Sequence, residues 1–136
     1  MHLYRLAVTF ITLMKTNCKS FSEIKDLAQK EGDERSLFIL DNILQPVYEK
    51  YVEYMEKSQL KDFTDIILEA TEICEGWEQT PYEYIIVDEF QDISMDRCRF
   101  LQALRKGSPK AKLFCVGDDW QSIYRFSGSN HYQFTD

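Results

Sequence analysis

The chain has 136 residues, 44% of them hydrophobic, and a formal net charge of −7. A chain of this length suits one domain, or a core with a small subdomain, and can bury roughly two-thirds of its extended surface, while its hydrophobic content argues against wholesale disorder. The acidic balance argues against a free-standing nucleic-acid binder, which would carry a basic face, unless that face lies on parts outside this segment.

The charge is unevenly placed. Residues 1–80 hold nine Lys/Arg against fifteen Asp/Glu, and residues 81–136 hold seven against eight. Nine Phe, eight Tyr and two Trp supply bulky core material, while five Gly and three Pro leave little room for long flexible linkers.

In chain order, Leu3, Leu6, Ala7, Phe10, Leu13 and Met14 recur at helical spacing and predict a helix ending near Asn17. This apolar start is interrupted by Arg5, lacks a small-residue cleavage site and is too short to span a bilayer. It reads as a soluble helix without a targeting signal, so a cytoplasmic protein with no membrane partner is expected. Ser20 or Ser22 can cap a second helix through about Lys30, with Glu23 in its first turn and Gly32 as its stop. A third helical pattern runs from Glu34 to Ser58 through Leu37, Leu40, Leu44, Val47, Tyr51 and Met55. Pro46 should kink it or begin a new helix there. Asp62 and Asp65 open a helix through about Cys74.

The pattern changes at Pro81. Tyr84 to Val87 is a short apolar run with β-branched residues, as in a buried parallel strand. Ser94 begins a helix with Met95, Cys98, Leu101 and Leu104 on its inner face, ended by Gly107 and Pro109. Lys112 to Val116 reads as a second buried strand, so a right-handed βαβ crossover is implied. The expected fold class is therefore α/β, with a helical part over 1–80 and a βαβ part over 81–136. Two strands cannot cover both faces of an open sheet, so the βαβ part reads as one edge of something larger. The four cysteines, Cys18, Cys74, Cys98 and Cys115, include no CxxC pair and read as reduced, buried thiols rather than a metal site.

Two stretches carry chemistry. Val87-Asp88-Glu89-Phe90-Gln91-Asp92 directly follows the first strand, at the carboxyl end where open parallel sheets bind ligands. Adjacent carboxylates there suit a metal–phosphate site, with Asp88 holding Mg²⁺ and Glu89 orienting or deprotonating an attacking water. A solvated acidic turn is the plainer alternative. The second stretch, Val116-Gly117-Asp118-Asp119-Trp120-Gln121-Ser122-Ile123-Tyr124-Arg125-Phe126-Ser127-Gly128-Ser129, follows the second strand and should open on the same rim. Gln121 can sense a terminal phosphate without neutralising it. Tyr124, Arg125 and Phe126 combine rings and a cation able to stack bases and touch backbone phosphate. Ordinary aromatic core packing is the alternative, most of all for Tyr124.

The DEFQD string resembles motif II of UvrD/Rep-type superfamily 1 DNA helicases, and VGDDWQSIYRFSGS resembles their motif III, in the family order. Tyr48-Glu49-Lys50-Tyr51 leading into Asp62-Phe63-Thr64-Asp65-Ile66-Ile67 is similar to the stretch where the family's inserted helical subdomain returns to the motor core, so the resemblance covers roughly residues 45–130. It implies a partial RecA-like P-loop NTPase core preceded by a helical insertion, in a protein that hydrolyses ATP with Mg²⁺ while moving 3′ to 5′ on single-stranded DNA. It further implies Asp88 as the Mg²⁺ ligand, Glu89 as the catalytic base and Gln121 as the γ-phosphate sensor. Phe126 takes the place of a base-stacking aromatic, with Tyr124 beside it.

Two departures matter. Relatives commonly read Tyr-Gly-Trp-Arg-Gly where this chain reads Tyr124-Arg125-Phe126-Ser127-Gly128, so the role of that arginine is open at Ser127; Trp120 is also bulkier than the usual residue. Both features resemble the helicase IV branch. No Gly-Lys-Ser/Thr phosphate loop occurs among the five glycines, and the second motor domain with its arginine is absent as well. The isolated chain is therefore expected not to hydrolyse ATP, and the remaining domains of a parent helicase are expected partners. Alternatives are a truncated, non-catalytic helicase relative acting as a DNA- or protein-binding module, and a structural helical domain with accidental motif matches.

Overall fold

The computed structural model describes residues 3–78 and 82–118. They divide into two compact units, one ending at Asp62 and one beginning at Phe63.

The first unit is helical. Helix α1 (Leu3–Thr16) buries Ala7, Ile11 and Met14, as its spacing predicts. Helix α2 (Phe21–Glu31) begins at Ser20 rather than Ser22 with a full capping box. The Ser20 hydroxyl accepts from the Glu23 N–H at 3.2 Å, and the Glu23 carboxylate accepts from the Ser20 N–H at 2.7 Å. Gly32 ends it at φ 68°, a left-handed conformation open to glycine, with the Asp33 N–H closing onto the Ala28 carbonyl at 3.1 Å.

Helix α3 (Glu34–Ile39) passes through a π-helical turn (Leu40–Leu44) into α4 (Gln45–Lys57), with Pro46 in the first turn of α4. Proline lacks the N–H that would continue an i→i−4 ladder, and the chain widens just ahead of it. The Gln45 N–H reaches the Leu40 carbonyl, five residues back. The wide turn aims Leu40 and Leu44 inward beside Ala7 and Ala28, with Phe10, Phe21 and Ile24 packed around them. Burying each leucine contributes about 1.5–3 kcal/mol. Phe21 meets Phe10 edge-on at 5.6 Å and stacks on Tyr48 at 6.1 Å, tying α2 to α1 and α4. Asp62, the last residue of the unit, accepts from Lys15 at 2.6 Å and from the Tyr51 hydroxyl.

The second unit holds α5 (Phe63–Glu75), β1 (Tyr84–Val87), α6 (Met95–Gly107) and β2 (Lys112–Cys115). Helix α5, placed with the helical part on the sequence pattern, packs along α6. The two strands pair in parallel with Tyr84 opposite Lys112 and Val87 opposite Cys115. The chain is thus mostly helical with a small parallel sheet, an α/β composition.

Two expectations are corrected. The strands are not buried: Ile86 is 74% and Phe114 62% exposed, and only Ile85 is covered. Burial of an apolar strand needs cover on both faces, and the described residues do not supply it. The cysteines are free but not uniformly buried, for Cys74 is enclosed while Cys115 is exposed. Among the described residues no helix is long and apolar enough to cross a membrane.

Two helix caps predict an acid response. The Ser20 N–H holds the Glu23 carboxyl below its ordinary value, and the Ser36 hydroxyl does the same for Asp33, the N-cap of α3. A group whose folded pKa lies below its unfolded value stabilises fully above the unfolded value and loses that contribution as pH falls through the folded one. Thermal melts followed by circular dichroism should therefore show lower stability at about pH 3 than at about pH 7. Replacing Glu23 by Gln and Asp33 by Asn should shrink the difference.

Candidate functional site

Strand β1 ends at Val87, and the acidic turn follows at once. The Val116 N–H donates to the Val87 carbonyl and the Phe90 N–H donates to the Val116 carbonyl, both at 2.9 Å. The turn after β1 and the turn after β2 are thereby joined through backbone, on the rim where both were expected.

Asp88 and Glu89 come together there, and both are exposed. The Glu89 N–H donates to Asp88 Oδ1 at 2.9 Å. Glu89 itself adopts φ 52°, ψ 44°, left-handed backbone that costs a non-glycine residue free energy and that clusters at functional positions. A 3₁₀ turn (Phe90–Asp92) follows. A cavity of about 450 Å³ opens beside it, with Ile86, Asp88, Glu89, Asp92 and Arg97 in its wall. Asp92 Oδ1 is buried there with no hydrogen-bond partner among the described residues.

Gln91 was not singled out by sequence reasoning. It is 4% exposed, and its amide is used at both ends. Nε2 donates to Glu89 Oε2 at 2.6 Å, and Oε1 accepts from the Asp118 N–H at 2.9 Å, 27 residues along the chain. No local pattern marks an amide that bridges two strand ends. The available signal was a polar residue inside a turn flanked by Phe90 and Ile93, a position that calls for buried partners.

Gly117 is explained by the same contact. A Cβ built on it would stand 2.5 Å from Gln91 Oε1 and 3.1 Å from the backbone nitrogens of Phe90 and Gln91. Only a residue without a side chain lets β2 leave the sheet over this turn.

Gln121, Tyr124, Arg125 and Phe126 lie outside the described residues, as do Trp120 and Ser127. Among the described residues no three His, Cys, Asp or Glu side chains gather into a metal cage. An exposed Asp88 at a strand end nevertheless suits Mg²⁺, which takes one or two protein carboxylates and completes its shell with water and phosphate oxygens.

Two parallel strands whose joined ends present an acidic turn and the Gly117-Asp118 segment make this part an α/β unit. The chain belongs to the UvrD/REP helicase N-terminal domain family, whose model matches residues 6–136. It is 40% identical over 108 residues to the DNA helicase IV of Escherichia coli K12, covering 79% of this chain and 14% of that protein. It is 38% identical over 91 residues to the putative ATP-dependent DNA helicase YjcD of Bacillus subtilis, covering 62% and 12%. It is 34% identical over 91 residues to the ATP-dependent DNA helicase Rep of Buchnera aphidicola from Acyrthosiphon pisum, covering 62% and 14%. The chain thus spans about one-seventh of the length of the curated relatives it matches. No solved structure matches it significantly.

Gly117→Ala should crowd the Gln91 amide and the Phe90 backbone together. The expected loss is about 1–3 kcal/mol, read as a lower urea midpoint at an unchanged slope.

Proposed function

We propose that this chain is a segment of an ATP-dependent DNA helicase that moves 3′ to 5′ on single-stranded DNA. On this reading it comprises part of a RecA-like first motor domain, with its Walker B strand, and the helical insertion before it. The carrying observation is that the turn after β1 and the turn after β2 are joined at one rim. That rim sets an acidic pair beside Gly117 and Asp118, the latter three residues before Gln121 in the sequence. Family membership and three relatives named as DNA helicases support the same reading. The division of the chain at Asp62–Phe63 falls within the stretch likened to the return from insertion to motor.

Asp88 would hold Mg²⁺, which when bound neutralises charge on the phosphates. Glu89 would accept a proton from the attacking water. Its exposure leaves it open to solvent, and its tether to Gln91 fixes its direction. Gln121 would report the terminal phosphate to the segment Tyr124, Arg125 and Phe126, where Phe126 would stack on a base. Residues 112–118 connect these groups to the sheet through β2.

The second reading is a non-catalytic relative that binds DNA or protein, and the net charge of −7 disfavours its free-standing DNA-binding form. One substitution separates the two. In the full-length protein, Glu89→Gln should lower DNA-stimulated phosphate release by about 10²–10⁴-fold while ATP binding persists. Turnover equal to wild type would remove Glu89 from the chemistry, and a wild-type protein without turnover would favour the binding module. Separately, Phe126→Ala in the full-length protein should weaken single-stranded DNA binding by about 1–3 kcal/mol in fluorescence anisotropy. An unchanged affinity would assign Phe126 to core packing.

A further inference from the structure

We propose that Gln91 is a positioning residue that locks the Glu89 carboxylate to the Gly117–Asp118 turn, so that the base and the loop after β2 are set as one unit. The inference rests on the role proposed for Glu89.

Three observations carry it. The Gln91 amide spans the two turns, with Nε2 on Glu89 Oε2 at 2.6 Å and Oε1 on the Asp118 N–H at 2.9 Å. Its orientation is fixed by chemistry. An ionised carboxylate only accepts and a backbone N–H only donates, so the flipped amide would lose both bonds. The surroundings hold the side chain in place. Gln91 is 4% exposed, the Phe90 N–H is tied to the Val116 carbonyl, and Gly117 leaves room for Oε1 where any Cβ would strike it.

The consequence is mechanical. Asp118 stands three residues before Gln121 in the sequence. A shift of the Gly117–Asp118 turn pulls on Oε1, and the rigid amide passes that shift to the oxygen of Glu89. Ionised Glu, Met and Leu lack the donor. Asn is one carbon shorter and does not span the two turns from the same backbone position. Glutamine alone among residues of this length donates to the carboxylate while accepting from the turn.

The test is steady-state ATP hydrolysis by the full-length protein on single-stranded DNA, with Glu89→Gln as reference. Gln91→Glu keeps the acceptor for the Asp118 N–H and places an anion against Glu89. Its kcat should fall about 10- to 100-fold, the range for groups that orient a reacting side chain, with the KM for ATP little changed. That split between kcat and KM is the readout, because a merely structural glutamine would lower stability without lowering turnover in the folded protein.

Gln91→Met, without donor or charge, covers the case in which the added anion unfolds the turn. A lowered kcat at constant KM in a protein that melts like wild type supports the proposal. Wild-type kcat in Gln91→Met, or in Gln91→Glu, overturns it when Glu89→Gln is inactive. Full turnover by Glu89→Gln overturns the reading of Glu89 and the role of Gln91 with it.

Discussion

Everything at the candidate site depends on how the backbone continues past the last residue pair of a two-stranded sheet. Val87 and Cys115 close the register, yet hydrogen bonding does not stop there, since Val116 bonds to both Val87 and Phe90. Those two bonds hold the start of the acidic turn against the exit of β2. A parallel pair in isolation is weak. The extra backbone bonds and the buried Gln91 amide extend the pairing into the turns, where the groups suited to chemistry lie.

The same extension explains the left-handed backbone at Glu89. The chain must leave β1, deliver the Phe90 N–H to Val116 and set Gln91 inward within four residues. A left-handed residue reverses direction quickly at a cost of order 1–3 kcal/mol, tolerated only where surrounding bonds over-determine it. Here those bonds are the Glu89 N–H to Asp88, the Asp92 N–H to the Glu89 carbonyl, and the Gln91 amide to the Glu89 side chain.

Much of this was legible in the sequence, wherever a short-range rule governed. Helical spacing marked α1, a serine at 20 or 22 marked the start of α2, and Gly32 marked its end. Pro46 announced a break whose form, a π-helical turn, depends on how Leu40 and Leu44 pack and so lay beyond local pattern. Strand β1 and the acidic turn fell where they were expected, because an apolar β-branched run followed by carboxylates is itself a local signal. Gln91 escaped notice since its meaning is a contact 27 residues away. Strand exposure was misjudged for a different reason. An apolar run predicts a strand with cover on both faces, and the described residues do not supply that cover.

That open face bears on what kind of object the second unit is. Ile86 and Phe114, opposite each other across the paired strands, leave adjoining apolar side chains exposed. Single exposed apolar residues are ordinary on protein surfaces, but adjoining ones on neighbouring strands form a patch of the kind that seeks further structure. Exposed strand edges have the same tendency, with unpaired N–H and C=O groups free to accept another strand. If the chain is a segment of a helicase motor, further strands and helices of that motor would cover the patch and pair the edge. The acidic balance would then be one part of a surface whose basic track belongs to other domains. The site residues do not require that cover to meet one another, because their geometry is set by the local bonds among residues 87–92 and 116–118. Binding nucleotide does require it, since an exposed acidic pair repels phosphate until cations and a phosphate-holding loop stand opposite. On the proposed reading, the rim would be preassembled for chemistry that its own charges cannot support alone.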